Sequence, residues 1–133
     1  MTGVPNLIER LRENRAATLV EFAMVCPILF AMLIGIANLG ILFLANAGLR
    51  NAVEDAARYA TIWPRPTATQ ITSRIAAKRW GLTPANIVGP TAVFTDSTPD
   101  YVTISMSYNI TIDYLFGSRT VTLTQTRRSY VTG

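Results

Sequence analysis

With 133 residues, a net charge of +4, one cysteine and no histidine, the chain has room for one small domain. The missing histidine removes the commonest general base and the commonest metal ligand, and a lone cysteine cannot close an intramolecular disulfide. The basic residues are scattered, with no run longer than Lys78-Arg79 or Arg127-Arg128. Nucleic-acid binders gather such charge on one face, so no nucleic-acid partner is expected.

The lead segment, Met1 to Glu21, is polar and charged. Pro5 is an early breaker, and Leu7 to Glu13 has helical character. Arg10, Arg12 and Arg15 precede an apolar run. By the positive-inside rule they hold this end in the cytoplasm and send the C-terminus out.

The run from Phe22 to Leu49 holds no Lys, Arg, Asp or Glu. As a helix it is about 42 Å long, while a bilayer's hydrocarbon core is about 30 Å. It can span a membrane with length to spare. A small soluble domain rarely buries a helix that is apolar on every side, so a core helix is the weaker reading. A removable secretory signal ending at Ala45-Asn46-Ala47 is another. The run is too long for it, since a signal's apolar region is about 7–15 residues. Pro27 removes a backbone donor and predicts a kink. Gly35 and Gly40 allow another helix to approach, although their spacing is not that of GxxxG. Cys26 reads as a small hydrophobe.

The helix is expected to continue beyond the membrane, from about Arg15 to Ile62 in all. Leu49, Val53, Ala56 and Ala60 form one apolar stripe. Arg50–Glu54 and Glu54–Arg58 are i,i+4 pairs on the wet side. Trp63-Pro64-Arg65-Pro66 ends the rod. Thr67-Ala68-Thr69-Gln70 then reads as a capping box, opening a short helix with Ala68, Ile71, Ile75 and Leu82 on one stripe. Arg74, Lys78 and Arg79 lie toward its C-terminal end, where cations suit the macrodipole. Gly81 and Pro84 stop it. Trp80 falls off the stripe and takes no assignment.

From Ala85 the period changes to two. Thr91–Thr95 is a predicted strand, and 96–100 a turn. Tyr101–Ile112 is the clearest strand, with Val102, Ile104, Met106, Tyr108, Ile110 and Ile112 on one face and Thr, Ser and Asn on the other. Asp113–Ser118 is a predicted connector and Arg119–Val131 a last strand, with Thr120, Thr122, Thr124 and Thr126 on one face. The sheet needs a cover for its apolar face, and the stripe at Leu49–Ala60 is available. The fold class is therefore α+β: one long transmembrane helix packed on an antiparallel sheet of about three strands, with one short extra helix.

No catalytic constellation is present. Triads need a base, normally His, and no G-x-S-x-G, P-loop or Cys–His pattern occurs. No enzyme activity, cofactor, metal or small-molecule substrate is expected. Asp96, Asp100 and Asp113 read as solvated turn residues rather than a cluster. Asn109-Ile110-Thr111 matches the glycosylation triplet, but mid-strand. Glu21 stands out because it abuts the apolar run. It is either an interfacial residue held by headgroup water or a carboxylate that needs a cation, such as a newly made α-amino group.

Arg15 to Pro27 (RAATLVEFAMVCP) resembles the N-terminus of TadE-like pseudopilins of the tight-adherence (Tad, type IVc) pilus. The resemblance continues through Gly35–Gly40 and Asn51–Ala60 and covers about residues 15 to 60. It implies that a membrane-embedded prepilin peptidase cuts between Ala16 and Ala17, five residues before Glu21, although the family usually has Gly where this chain has Ala16. Residues 1–16 are then a cytoplasmic leader, 17–62 a pilin-like transmembrane and continuing amphipathic helix, and 63–133 a small extracytoplasmic α+β domain. Glu21 and Phe22 are implied to act in N-terminal pairing and assembly. The implied role is a minor pilin in the bacterial inner membrane, with the membrane, the peptidase and other pilin and pseudopilin subunits as partners. The alternative is a stable single-pass anchored protein whose external domain binds a ligand or envelope partner.

Overall fold

The structure, a computed structural model, describes residues 7–114 and 117–131, with side chains from residue 15 onward. The expectations for Pro5 and for the middle of the 113–118 connector lie outside the described residues. The chain divides between Ala37 and Asn38 into two units.

Helix α1 runs Leu7–Tyr59 and passes through Pro27. It starts earlier than expected because Leu7 to Glu13 is made of good helix formers. It ends before Ile62 because the chain tightens there. The Thr61 and Ile62 amides donate to carbonyls three residues back, at Arg58 and Tyr59, the 3₁₀ pattern common at helix ends. The prolines at 64 and 66 then forbid continuation.

All other elements lie in the second unit. Helix α2, Ala68–Ala77, opens with the expected capping box: Thr67 Oγ1 accepts from the Gln70 amide at 3.3 Å, and Gln70 Oε1 accepts from the Thr67 amide at 2.9 Å. Ile71 and Ile75 are buried. One 3₁₀ turn, Pro84–Asn86, leads into β1.

The strands are β1 (Ile87–Thr95), β2 (Tyr101–Tyr114) and β3 (Gly117–Tyr130), antiparallel in the order β1-β2-β3. β1 begins four residues before the predicted Thr91, at Ile87. Gly89-Pro90 hides that start in the sequence. The register shifts between Val88 and Thr91, and a bulge on an edge strand is where a proline without an N–H is tolerated. The predicted connector is also shorter: β2 and β3 pair up to Tyr114↔Gly117, so Asp113, Tyr114, Gly117 and Ser118 belong to the ladder.

The two faces of the sheet differ as the alternation requires. On the open face, Ser105–Thr126, Ser107–Thr124 and Asn109–Thr122 are joined by side-chain hydrogen bonds of 3.0, 2.9 and 2.7 Å. Asn109 of the glycosylation triplet accepts from Thr122 in this ladder. On the other face Val102, Ile104, Met106, Tyr108 and Ile110 are buried. They share one core with Leu49, Val53 and Ala56 of α1, with Ala60 just past its end, and with Ile71 and Ile75 of α2. The stripe is the cover that the sheet needs.

Cover begins well before Leu49. Ala45 is buried in the core, Leu42 packs against it, and Asn38 Nδ2 donates to the Asp113 carbonyl at 2.5 Å. Gly48 is the close-approach glycine: a Cβ there would lie 2.4 Å from the Trp80 carbonyl oxygen. A Cβ at Gly35 or Gly40 would meet nothing within 4 Å.

Gly48→Ala is expected to destabilise the full chain in detergent by about 1–3 kcal/mol, because backbone must move. Gly35→Ala and Gly40→Ala are expected to leave it unchanged or slightly firmer. Leu49→Ala should cost about 2–5 kcal/mol. Denaturant titration of the four chains checks the ranking.

Candidate functional site

The segment singled out by the sequence lies on α1. Arg15 to Tyr59 is long and apolar enough to cross a membrane, with a mean hydropathy of 2.5 in its most apolar window, of which 6% is buried. In the first unit Ala16, Ala17, Glu21 and Phe22 are exposed on the helix. Leu19, Met24, Ile28 and Phe30 are exposed too, and Cys26 is half-buried. A row of large apolar side chains facing outward is unstable in water and suits a lipid or protein neighbour. The core-helix reading does not fit this exposure. Pro27 sits within α1, where its missing N–H leaves the Ala23 carbonyl without its usual partner.

In the second unit α1 becomes a docking rod. The C-terminal half of β3 meets it. Gln125 Nε2 donates to Asn46 Oδ1 at 3.1 Å, Arg127 Nη2 to Glu54 Oε1 at 2.7 Å and Ser129 Oγ to the Ala57 carbonyl at 3.0 Å. The sequence reading missed these three. Polar residues on a strand look like a wet face, and only the pairing with β2 reveals that they alternate with the threonines and point the other way. Glu54 keeps its expected partner Arg50 at 3.0 Å, but its second partner is Arg127 rather than Arg58.

A second tie joins α1 to α2. Arg74 Nε donates to Asp55 Oδ2 at 2.7 Å, and its guanidinium lies 5.5 Å from the centre of the Tyr59 ring. The cation that the sequence placed near the helix end therefore serves a tertiary pair. Trp80, unassigned from sequence, has its side chain 73% exposed. It borders an open hollow of about 430 Å³ with Asn51, Glu54, Asp55, Arg58 and Lys78. Asp100 pairs with Arg65 at 3.6 Å and accepts from the Ser97 amide. Asp113 lies at the opposite end of β2, so the three aspartates do not meet. Among the described residues no group of three His, Cys, Asp or Glu is placed to hold a metal.

Glu54 and Asp55 lie on the sheet-packed part of α1. Hydrogen bonds from Arg127 and Arg50 hold the Glu54 carboxyl below its ordinary 4.5. The Arg74 hydrogen bond holds Asp55 below 3.8, against a smaller opposing effect of burial. A carboxyl whose pKa is lowered on folding stabilises the fold fully above its unfolded value, and this is lost as pH falls through the folded value. The thermal midpoint of the full chain in detergent should therefore hold steady near neutrality and fall below about pH 4.5. A Glu54→Gln, Asp55→Asn chain should start lower at neutral pH and lose less on acidification.

The family model described as TadE-like protein matches residues 16–58. No curated protein and no solved structure matches the chain. The matched stretch begins at the predicted cleavage site and stops one residue short of the end of α1 at Tyr59. It thus follows the helix and leaves out the β-strands. Residues 16–58 of this chain are a TadE-like segment.

Proposed function

We propose that the chain is a minor pilin, or pseudopilin, of a Tad-type (type IVc) pilus system. It crosses the bacterial inner membrane once with its N-terminus in the cytoplasm. A prepilin peptidase removes residues 1–16 by cutting between Ala16 and Ala17. The mature chain then supports pilus assembly together with other pilin and pseudopilin subunits. The external domain comprises residues 63–133 together with α1 from Asn38, which is packed into the same core.

One observation carries this reading: the TadE-like match coincides with a helix that is apolar and outward-facing at first and then becomes one layer of a small domain. A helix of that kind can lie in lipid and later exchange lipid for protein contacts. Gly35 and Gly40, with open space beyond them, suit close approach of neighbouring helices. Pro27, with the orphaned Ala23 carbonyl, suits local loosening of α1 on entry into a filament. Glu21, fifth in the mature chain and followed by Phe22, supplies the carboxylate for a neighbour's new α-amino group. Release of a secreted domain after Ala47 fits poorly, because it would remove buried Ala45 and the Asn46–Gln125 bond.

A second reading is favoured by the hollow beside Trp80: a stable membrane-anchored domain that binds an envelope partner there and never enters a filament. Filament content discriminates between the two. Under the pilin reading Glu21→Ala leaves membrane insertion intact and lowers incorporation into pili at least tenfold, because removing one partner of a poorly solvated ion pair costs more than the ~1.4 kcal/mol that tenfold represents. Fractionation of membranes and sheared filaments measures both. A wild-type chain absent from sheared filaments would move the assignment to the anchored domain, and filament content unchanged by Glu21→Ala would take the assembly role from Glu21.

A further inference from the structure

Within the second unit, Trp80 is the side chain whose position the fold does not account for. Its indole is 73% exposed, although Trp carries a large apolar surface that favours burial. A loose loop is not the reason, because the backbone around it is pinned to α1. The Trp80 carbonyl lies against Gly48 so closely that no Cβ fits there. Gly81 takes a φ of +73° beside Leu44, a conformation that favours glycine. Leu82 is buried in the core, and its amide donates to the Arg79 carbonyl. A backbone held in this way turns the indole outward and keeps it there.

The indole borders the open hollow of about 430 Å³ between α1 and the C-terminal end of α2. Asn51, Glu54, Asp55 and Arg58 come from α1, and their spacing puts them on one face of that helix. Lys78 comes from the end of α2. The four charges are not equivalent. Glu54 is bonded to Arg50 and Arg127, and Asp55 to Arg74. Among the described residues, no ion pair or side-chain hydrogen bond engages Arg58 or Lys78. The hollow thus presents two uncommitted cations and one fixed aromatic face. Trp and Arg are the residue types that carry most binding energy at protein interfaces.

Charge selects the occupant. The two cations suit a carboxylate. Glu54 and Asp55 in the same wall limit the negative charge that the hollow accepts, since like charges brought together cost several kcal/mol. A phosphate-dense lipid surface or nucleic acid therefore fits worse than a single carboxylate. A second copy of this chain brings a net charge of +4, and the same repulsion disfavours it. An acidic protein segment with an apolar side chain beside its carboxylate matches both the cations and the indole.

We propose that the hollow at Arg58, Lys78 and Trp80 is a docking site for an acidic segment of a different protein. The segment's carboxylate pairs with Arg58 and Lys78, and an adjoining apolar side chain lies on the Trp80 indole. The proposal rests on the second unit alone. It gives the envelope partner of the anchored reading its chemistry, and under the pilin reading the segment belongs to another subunit.

The test introduces the photo-crosslinker p-benzoylphenylalanine as Trp80→p-benzoylphenylalanine, in the full chain and in cells that hold its native partners. Mass spectrometry identifies the joined peptides. A control carries the crosslinker at Val93, exposed on the open face of the sheet. Both chains are repeated with Arg58→Gln and Lys78→Gln, whose side chains lie outside the core, and the thermal midpoint in detergent verifies their folding. The expected result is an adduct at 80 and not at 93, joined within a few residues of an Asp or Glu in another protein. Its yield should fall severalfold when the two cations are removed. No adduct at 80, an adduct with lipid or with a second copy, one with a segment lacking acidic residues, or a yield indifferent to the cations each overturns the site. The filament content of the wild-type chain is read separately, so failure of the site is told apart from failure of either functional reading.

Discussion

Everything in this chain depends on one helix having to satisfy two surroundings in succession. From Leu19 to Ala37, α1 turns large apolar side chains outward, which only lipid or protein can accommodate. From Asn38 it offers small residues to the domain: Ala45, Gly48, Ala52 and Ala56 are all buried. Small side chains bring the helix close, and Gly48 does so to the point where no Cβ fits. Small inward residues set the second unit's part of α1 apart, although Leu39, Ile41, Phe43 and Leu44 still face outward there.

The sheet is held to that rod by two kinds of force. The central strand β2 supplies the sheet's fully buried apolar side chains, Val102, Ile104 and Met106 foremost, and the edge strands pack Phe94, Val121 and Leu123 against them. The edge strand β3 contributes less apolar area on that side but bonds to α1 through Gln125, Arg127 and Ser129. Burial is non-directional, whereas hydrogen bonds at known positions fix which residue meets which. The polar contacts therefore set the alignment of sheet and helix, and the apolar ones supply the bulk of the stabilisation. The Asp55–Arg74 pair does the same for α2. Its strength is limited by exposure to water, so its role is alignment more than stabilisation.

Much of this was legible in the sequence because it is local or periodic. The apolar run, the stripe Leu49–Ala60, the alternation of Tyr101–Ile112 and the Thr67–Gln70 box each follow from residue type at fixed spacing. So does the TadE-like segment, read from residues 15 to 60 and matched over 16–58. The features that escaped depend on distant neighbours. The first part of β1 was hidden because Gly89-Pro90 reads as a breaker unless an edge bulge accommodates it. Glu54 takes its second cation from Arg127 rather than from the helical neighbour Arg58. Gly48 looks like any helical glycine until the Trp80 backbone is laid across it. The reach of the sheet back to Asn38 is likewise a tertiary fact. It redraws the apolar run as a shorter stretch for lipid followed by a stretch shared with the domain.

The central claim is that this helix is made to leave the membrane as a pilin does, and the state of its N-terminus tests that most directly. Intact mass and terminal sequencing of the membrane-resident protein, with the cognate prepilin peptidase present and absent, would decide it. The account predicts a chain beginning at Ala17 only when the peptidase is present. A chain beginning at Met1 in both cases would contradict it and make α1 a permanent anchor.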